Sequence, residues 1–143
     1  MTLPFHVSCT LESPLLYELP DDRFQIMTTG AVGPLVAGYQ FLLVNAELAS
    51  FLASLKVERV TYRPATITDP RTGAVLRTHT RVVVQQYFHD RDLPDVPLSG
   101  YKILAFADQY YFVSPGLKDA LEARGFEYLR FSEGLSQFAG CAA

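Results

Sequence analysis

The side chains able to do acid–base, nucleophilic or metal chemistry are few and scattered in this chain. It has three histidines, His6, His79 and His89, and two cysteines, Cys9 and Cys141. No two histidines have metal-ligand spacing, and there is no HExxH. His89, Asp90 and Asp92 are close enough to suggest a divalent cation. Hard cations want more convergent oxygens, so a solvated loop is the better reading. There is no GxSxG, and neither cysteine has a histidine placed to activate it. Cys9 follows His6 by three, so on a strand the two point to opposite faces. Gly30, Gly33 and Gly38 have neither GxGxxG spacing nor the lysine of a phosphate-binding loop. Asp21-Asp22 sits in a turn, where water solvates both carboxylates. The reading is a non-enzyme with no catalytic residue, no metal ligand and no cofactor.

Charged and aromatic residues offer binding surfaces instead. If the hairpin at 69–73 pairs Thr68 with Ala74, Arg63 falls opposite His79, Thr61 opposite Arg81, and Ala65 opposite Arg77. The period of two then projects Arg63, Arg77, His79 and Arg81 from one face, a cationic patch for an acidic partner. Val60, Tyr62, Leu76, Val82 and Val84 take the core face. A polar loop from His89 to Gly100 carries Asp90, Asp92 and Asp95 with two prolines, which suits a basic partner. Tyr101, Tyr110 and Tyr111 lie near strand ends, where apolar area plus a hydroxyl suits an interface. The acidic loop is the preferred surface, because it matches the negative net charge.

These residues need elements to hold them. Strands are expected at Phe5–Leu11, Phe24–Thr28, Phe41–Val44, Val57–Thr68, Ala74–Phe88, Tyr101–Ala107, Tyr110–Val113 and Phe126–Phe131. Leu15–Leu19 is ambiguous. Gly30–Gly38, with three glycines and Pro34, reads as a loop. Leu48, Phe51, Leu52 and Leu55 form one apolar stripe on a helix over Ala46–Leu55, capped by Asn45. Ser114 caps a second helix over Pro115–Arg124, with Leu117, Ala120 and Leu121 inward, and Gly125 stops it. The tail from Gly134 is expected to fray. Leu43–Tyr62 aligns without gaps on Phe112–Phe131, at a constant offset of 69 positions. Each copy is strand, capped helix, strand, which argues for two similar β-α-β lobes on one sheet. The fold class expected is α+β: one domain over 1–143 with a mixed, mostly antiparallel sheet and two amphipathic helices.

Length and composition bound the rest. The chain has 143 residues, 49% hydrophobic and 19% charged. That is one domain with enough apolar mass for a core and too much for disorder. The net charge is -3, and nucleic acid is disfavoured as a partner because such binders carry basic patches. No basic, apolar leader opens the chain and no apolar run approaches the roughly 20 residues of a spanning helix, so a cytoplasmic protein without membrane contact is expected. Without secretory context, the two cysteines read as unrelated reduced thiols.

The segment Tyr111–Phe131 carries Phe112-Val113-Ser114, Leu117-Lys118, Ala120-Leu121-Glu122, Gly125 and Phe131. It resembles the closing motif of a bacterial polymorphic-toxin immunity family, the one numbered eleven, which is related to immunity proteins with a double CxxCG motif. The earlier strand-helix-strand over Phe41–Tyr62 and the strand Val82–Phe88 extend the resemblance to roughly 38–131. This chain has no CxxCG, so the metal-binding variant is not implied. The resemblance implies a cytosolic protein that binds a cognate toxin and neutralises it by direct contact. It brings no catalytic residues. The alternatives are a small-molecule-binding or enzymatic domain with a pocket on the sheet, or an accessory protein of a secretion system or phage. Oligomeric state is left open.

Overall fold

Short runs of alternating apolar residues, broken by Pro-Asp-Asp and Asp-Pro-Arg-Thr-Gly turns, dictate many short strands. The computed structural model describes residues 2–93, 95–135 and 138. Its strands are β1 Phe5–Cys9, β2 Leu16–Leu19, β3 Arg23–Ile26, β4 Leu35–Gly38 and β5 Phe41–Asn45, then β6 Val60–Asp69, β7 Ala74–Val84, β8 Ile103–Phe106, β9 Tyr110–Val113 and β10 Leu129–Glu133. The helices are α1 Ala46–Ser54 and α2 Pro115–Arg124. The fold is α+β, with two sheets in place of the single one expected. One runs β10-β1-β9-β8 and is antiparallel throughout. The other runs β2-β3-β6-β7-β5-β4, with β3 and β6 parallel. The sheets meet where the Ala105 N–H donates to the Gln86 carbonyl at 2.8 Å and the Phe88 N–H to the Ala105 carbonyl at 3.1 Å.

The two strand-helix-strand units share more than their order. β5 and β6 are both antiparallel to β7, which lies between them. β9 and β10 are both antiparallel to β1, which lies between those. Each unit is therefore a split β-α-β with one antiparallel strand in the gap, and each sits in its own sheet. The caps diverge. The Asn45 side chain accepts the Leu48 N–H at 2.9 Å, as expected. Ser114 occupies the cap position but does not cap with its side chain. Its hydroxyl is buried, accepts from Lys102 N–H at 3.0 Å and donates to the Gly100 carbonyl at 2.8 Å.

Among the described residues the apolar side chains gather in three clusters. The main one lies between the sheets and helices, with Leu42, Val44, Val82 and Val84 facing Ile103, Tyr111 and Val113 under Leu48, Leu52, Leu117 and Leu121. The second gathers Phe24, Ile26, Phe41, Leu43, Ala65 and Ile67 on the other face of the larger sheet. The third packs Phe88, Leu104, Phe106, Phe112 and Leu135 beneath Leu93, Val96 and Leu98 of the acidic loop.

Three expectations are corrected. Leu35–Gly38 is an edge strand, because β5 offers a free ladder. Phe41 lies directly over Gly38, where a Cβ would strike the ring, so an aromatic side chain covers the edge glycine. The 69–73 hairpin pairs Asp69 with Ala74, and a bulge between Ala65/His79 and Ile67/Leu76 adds a residue on β7. Arg63 therefore faces Arg81, Ala65 faces His79, and Thr61 faces Val83. The extra residue inverts the side-chain alternation. Leu76 accordingly leaves the face of Val82 and joins the second cluster beside Ile67. In the tail, the Gly134 N–H donates to the Pro4 carbonyl at 2.8 Å, Leu135 is buried, and Phe138 packs on His6, so these three residues are held rather than frayed; the rest of the tail lies outside the described residues.

Candidate functional site

The expected cationic face is electrically closed. The turn at Asp21-Asp22 takes left-handed φ at both residues, 66° and 57°, and so aims Asp22 at the β6–β7 hairpin. Arg63 grips Asp22 with two nitrogens, each at 3.0 Å. Arg81 Nη1 reaches Asp22 Oδ1 at 3.1 Å and Glu18 Oε2 at 2.7 Å, and its Nη2 donates to the Gln40 carbonyl at 3.0 Å. The Arg81 guanidinium stands 5.7 Å from the Phe24 ring centroid, and its side chain is only 13% exposed. Two arginines thus meet two carboxylates. His79 is turned inward, with Nε2 2.7 Å from the Gly33 carbonyl, so that nitrogen carries the proton. Arg77 is exposed at the bulge. Of the four side chains expected on the cationic face, only Arg77 is both exposed and without an ion pair among the described residues.

The acidic loop keeps Asp90, Asp92 and Asp95 at the surface, with the carboxylates of Asp90 and Asp92 partly engaged. Asp92 Oδ2 accepts the His89 N–H at 2.8 Å, and Asp90 Oδ1 accepts the Arg91 N–H at 2.9 Å, within a short 3-10 turn at Asp90–Asp92. The Asp95 N–H donates to the Asp92 carbonyl at 2.8 Å. The tyrosines are not brought together. Tyr101 lies by Glu58, whose N–H donates to its carbonyl at 3.0 Å. Tyr111 is buried under a polar pocket of about 370 Å³ shared with Arg81, Gln40, Tyr87 and Asp108. Burial, against the opposing pull of Arg81, pushes its hydroxyl up to about 12. Tyr110 faces a different place.

That place is a groove of about 890 Å³ between β1 on one side and β2 and β4 on the other. Nine large apolar side chains stand out into solvent among the described residues, and five of them line this groove: Leu11, Leu15, Tyr17, Tyr39 and Tyr110. Among the described residues its charged lining is His6, Glu12 and Glu18, with no lysine or arginine. His6 is caged by Tyr110, Phe112 and Phe138, with ring centroids 5.0–5.9 Å away, and burial holds its pKa below the ordinary imidazole value. Half-buried Cys9 lies on the opposite face of β1, against the main core, and is a free thiol. Cys141 lies outside the described residues. Sequence reasoning found Tyr110 and missed the rest. The one readable signal was the exposed spacing of Leu15 and Tyr17 in the ambiguous segment.

Among the described residues no group of three histidine, cysteine or acidic side chains converges as metal ligands, and no helix is long and apolar enough to cross a membrane. Fold and site together define an α+β protein with an aromatic-rimmed groove at a sheet edge. The chain matches no known family model, and neither its sequence nor its fold has a significant match among curated proteins or solved structures.

Proposed function

We propose that this protein is an immunity-type binding protein that neutralises a partner toxin by direct contact, with the groove as the centre of the contact surface. The observation that carries the reading is the gathering of Leu11, Leu15, Tyr17, Tyr39 and Tyr110 around one groove. Single exposed apolar residues are ordinary, but a contiguous exposed patch rimmed by polar groups marks an interaction surface. Tyrosine suits such a surface, because it brings large area with few rotatable bonds and a hydroxyl that tolerates water. Buried His79 and half-buried His6 already hold a loop carbonyl and an aromatic cage. Asp90, Asp92 and Asp95 serve to steer a basic partner by charge rather than to anchor it.

The test is capture of the toxin on the full chain, followed by reconstitution of the purified pair. A stoichiometric amount of this protein should abolish the toxin's activity. Leu15→Ser with Tyr39→Ser should weaken protection by at least about tenfold, since central aromatic and apolar anchors commonly contribute 1–2 kcal/mol or more each. Reversing Asp90, Asp92 and Asp95 to lysine should slow association mainly at low salt. A groove variant that protects as well as the wild type would overturn the reading.

A further inference from the structure

The groove has a backbone wall as well as an aromatic rim. Among the described residues β4 is an edge strand, paired only with β5. The Asn45 N–H donates to the Pro34 carbonyl at 2.8 Å, which fixes the phase of the ladder. Pairs alternate along an antiparallel ladder, so Val36 and Gly38 bond to β5 while Leu35 and Ala37 direct N–H and C=O away from it. Among the described residues nothing accepts from or donates to those outward groups. On the opposite wall the Thr10 N–H donates to the Tyr128 carbonyl at 2.8 Å. By the same alternation, Cys9 turns its N–H and C=O from β10 toward the groove, past the end of the β1–β9 pairing. Leu35-Val36-Ala37-Gly38 carries no lysine, no internal proline and no charge, the devices that usually close an edge.

We propose that this groove receives an extended, basic segment of the partner as an added strand on β4. The inference rests on the protein-binding reading above and specifies its mode. Backbone pairing with Leu35 and Ala37 would supply register. Alternate apolar side chains of the segment would lie among Leu11, Leu15 and Tyr39. The charge of the occupant follows from the lining. Glu12 is exposed, and among the described residues it forms no ion pair and no lysine or arginine lines the groove. The faces of Tyr17, Tyr39 and Tyr110 add cation–π attraction for lysine or arginine. A second copy of the chain would bring its own Glu12 and its net charge of -3 to the same surface, so self-pairing is disfavoured.

The experiment uses the isotope-labelled full chain and a blocked peptide of about eight residues alternating valine with lysine and threonine. Its partner probes carry glutamate in place of lysine, or N-methyl groups on alternate amides. The lysine peptide should shift the amide resonances of Leu35 and Ala37 and slow their hydrogen exchange. The glutamate and N-methyl peptides should bind at least about tenfold more weakly, the equivalent of one or two lost contacts of about 1 kcal/mol each. Ala37→Pro removes an outward N–H at a position where an edge strand accepts proline, so the fold should survive while binding falls at least about tenfold. Ala37→Ser keeps the N–H and should bind like the wild type. Equal binding by Ala37→Pro, with an unchanged thermal midpoint, would overturn the proposal. So would a dimer in sedimentation that Ala37→Pro dissociates, because the occupant would then be a second copy. If Ala37→Pro still neutralises the toxin and the lysine peptide does not bind, the strand site falls and the neutralisation reading stands. If the peptide binds as described and no toxin is neutralised, the strand site stands and that reading falls.

Discussion

Replacing Arg81 with methionine tests whether the hairpin arginines are structural or free to bind. The Arg81 side chain is 13% exposed and bonds Glu18, Asp22 and the Gln40 carbonyl. Removing one partner of a fully buried pair costs about 3–5 kcal/mol, because the other charge is left unpaired. Two features lower that here. Asp22 keeps its two-nitrogen grip from Arg63, and Glu18 is 36% exposed and can be hydrated. One feature raises it: the Gln40 carbonyl loses its donor, worth about 1 kcal/mol. Methionine preserves the apolar stem against Phe24, so little packing is lost. The balance is about 2–3 kcal/mol, built on the buried-pair cost. For a chain of this size that lowers the thermal midpoint by roughly 5–10 °C. Arg63, with a side chain 52% exposed, should cost less than about 1 kcal/mol when replaced in the same way. Urea unfolding of Arg81→Met, Arg63→Met and both with Asp22→Asn measures the terms. The Arg63 contribution should shrink in high salt, that of Arg81 should persist, and both should be non-additive with Asp22→Asn. Equal costs for the two arginines, or a cost below about 0.5 kcal/mol for Arg81→Met, would refute the reasoning, since that is the range of an ordinary surface change.

Burial lowers the His6 pKa, so the folded chain binds that proton less readily than the unfolded chain. Stability should be full above the unfolded value of about 6.5, decline as pH falls from there toward the lowered folded value, and level off below it. His6→Phe should flatten that limb of urea midpoints measured from high to low pH, and an unchanged limb would sink the assignment. The two helix caps should respond differently to alanine. Asn45→Ala loses one side-chain bond to an orphan N–H and should cost about 1 kcal/mol. Ser114→Ala leaves the buried Lys102 N–H and Gly100 carbonyl unpaired and should cost about 2 kcal/mol, with chemical denaturation reversing that order if the hydroxyl is idle.

Local chemistry along the chain determined much of this protein. The stripe Leu48, Phe51, Leu52, Leu55 and the cap Asn45 specify α1, because 3.6-residue spacing and an orphan N–H are both properties of neighbours in sequence. Pro115 and Gly125 bracket α2 for the same reason. The hairpin turn at 70–73 and the strand-helix-strand repeat were equally legible. What sequence could not supply was phase and neighbourhood. A single bulged residue on β7 moved Leu76 across the sheet and set Arg63 beside Arg81, because side-chain facing has a period of two and one insertion inverts it. Leu35–Gly38 reads as loop by composition and becomes a strand only because β5 has a free edge to bond. Asp22 and Glu18 are far from Arg81 in sequence, so the neutralising of the arginines was decided by how the β2–β3 hairpin docks. The groove has the same origin. Leu11, Tyr17, Tyr39 and Tyr110 share no motif, and only the tertiary fold, by setting β2 and β4 beside β1, places them around one space.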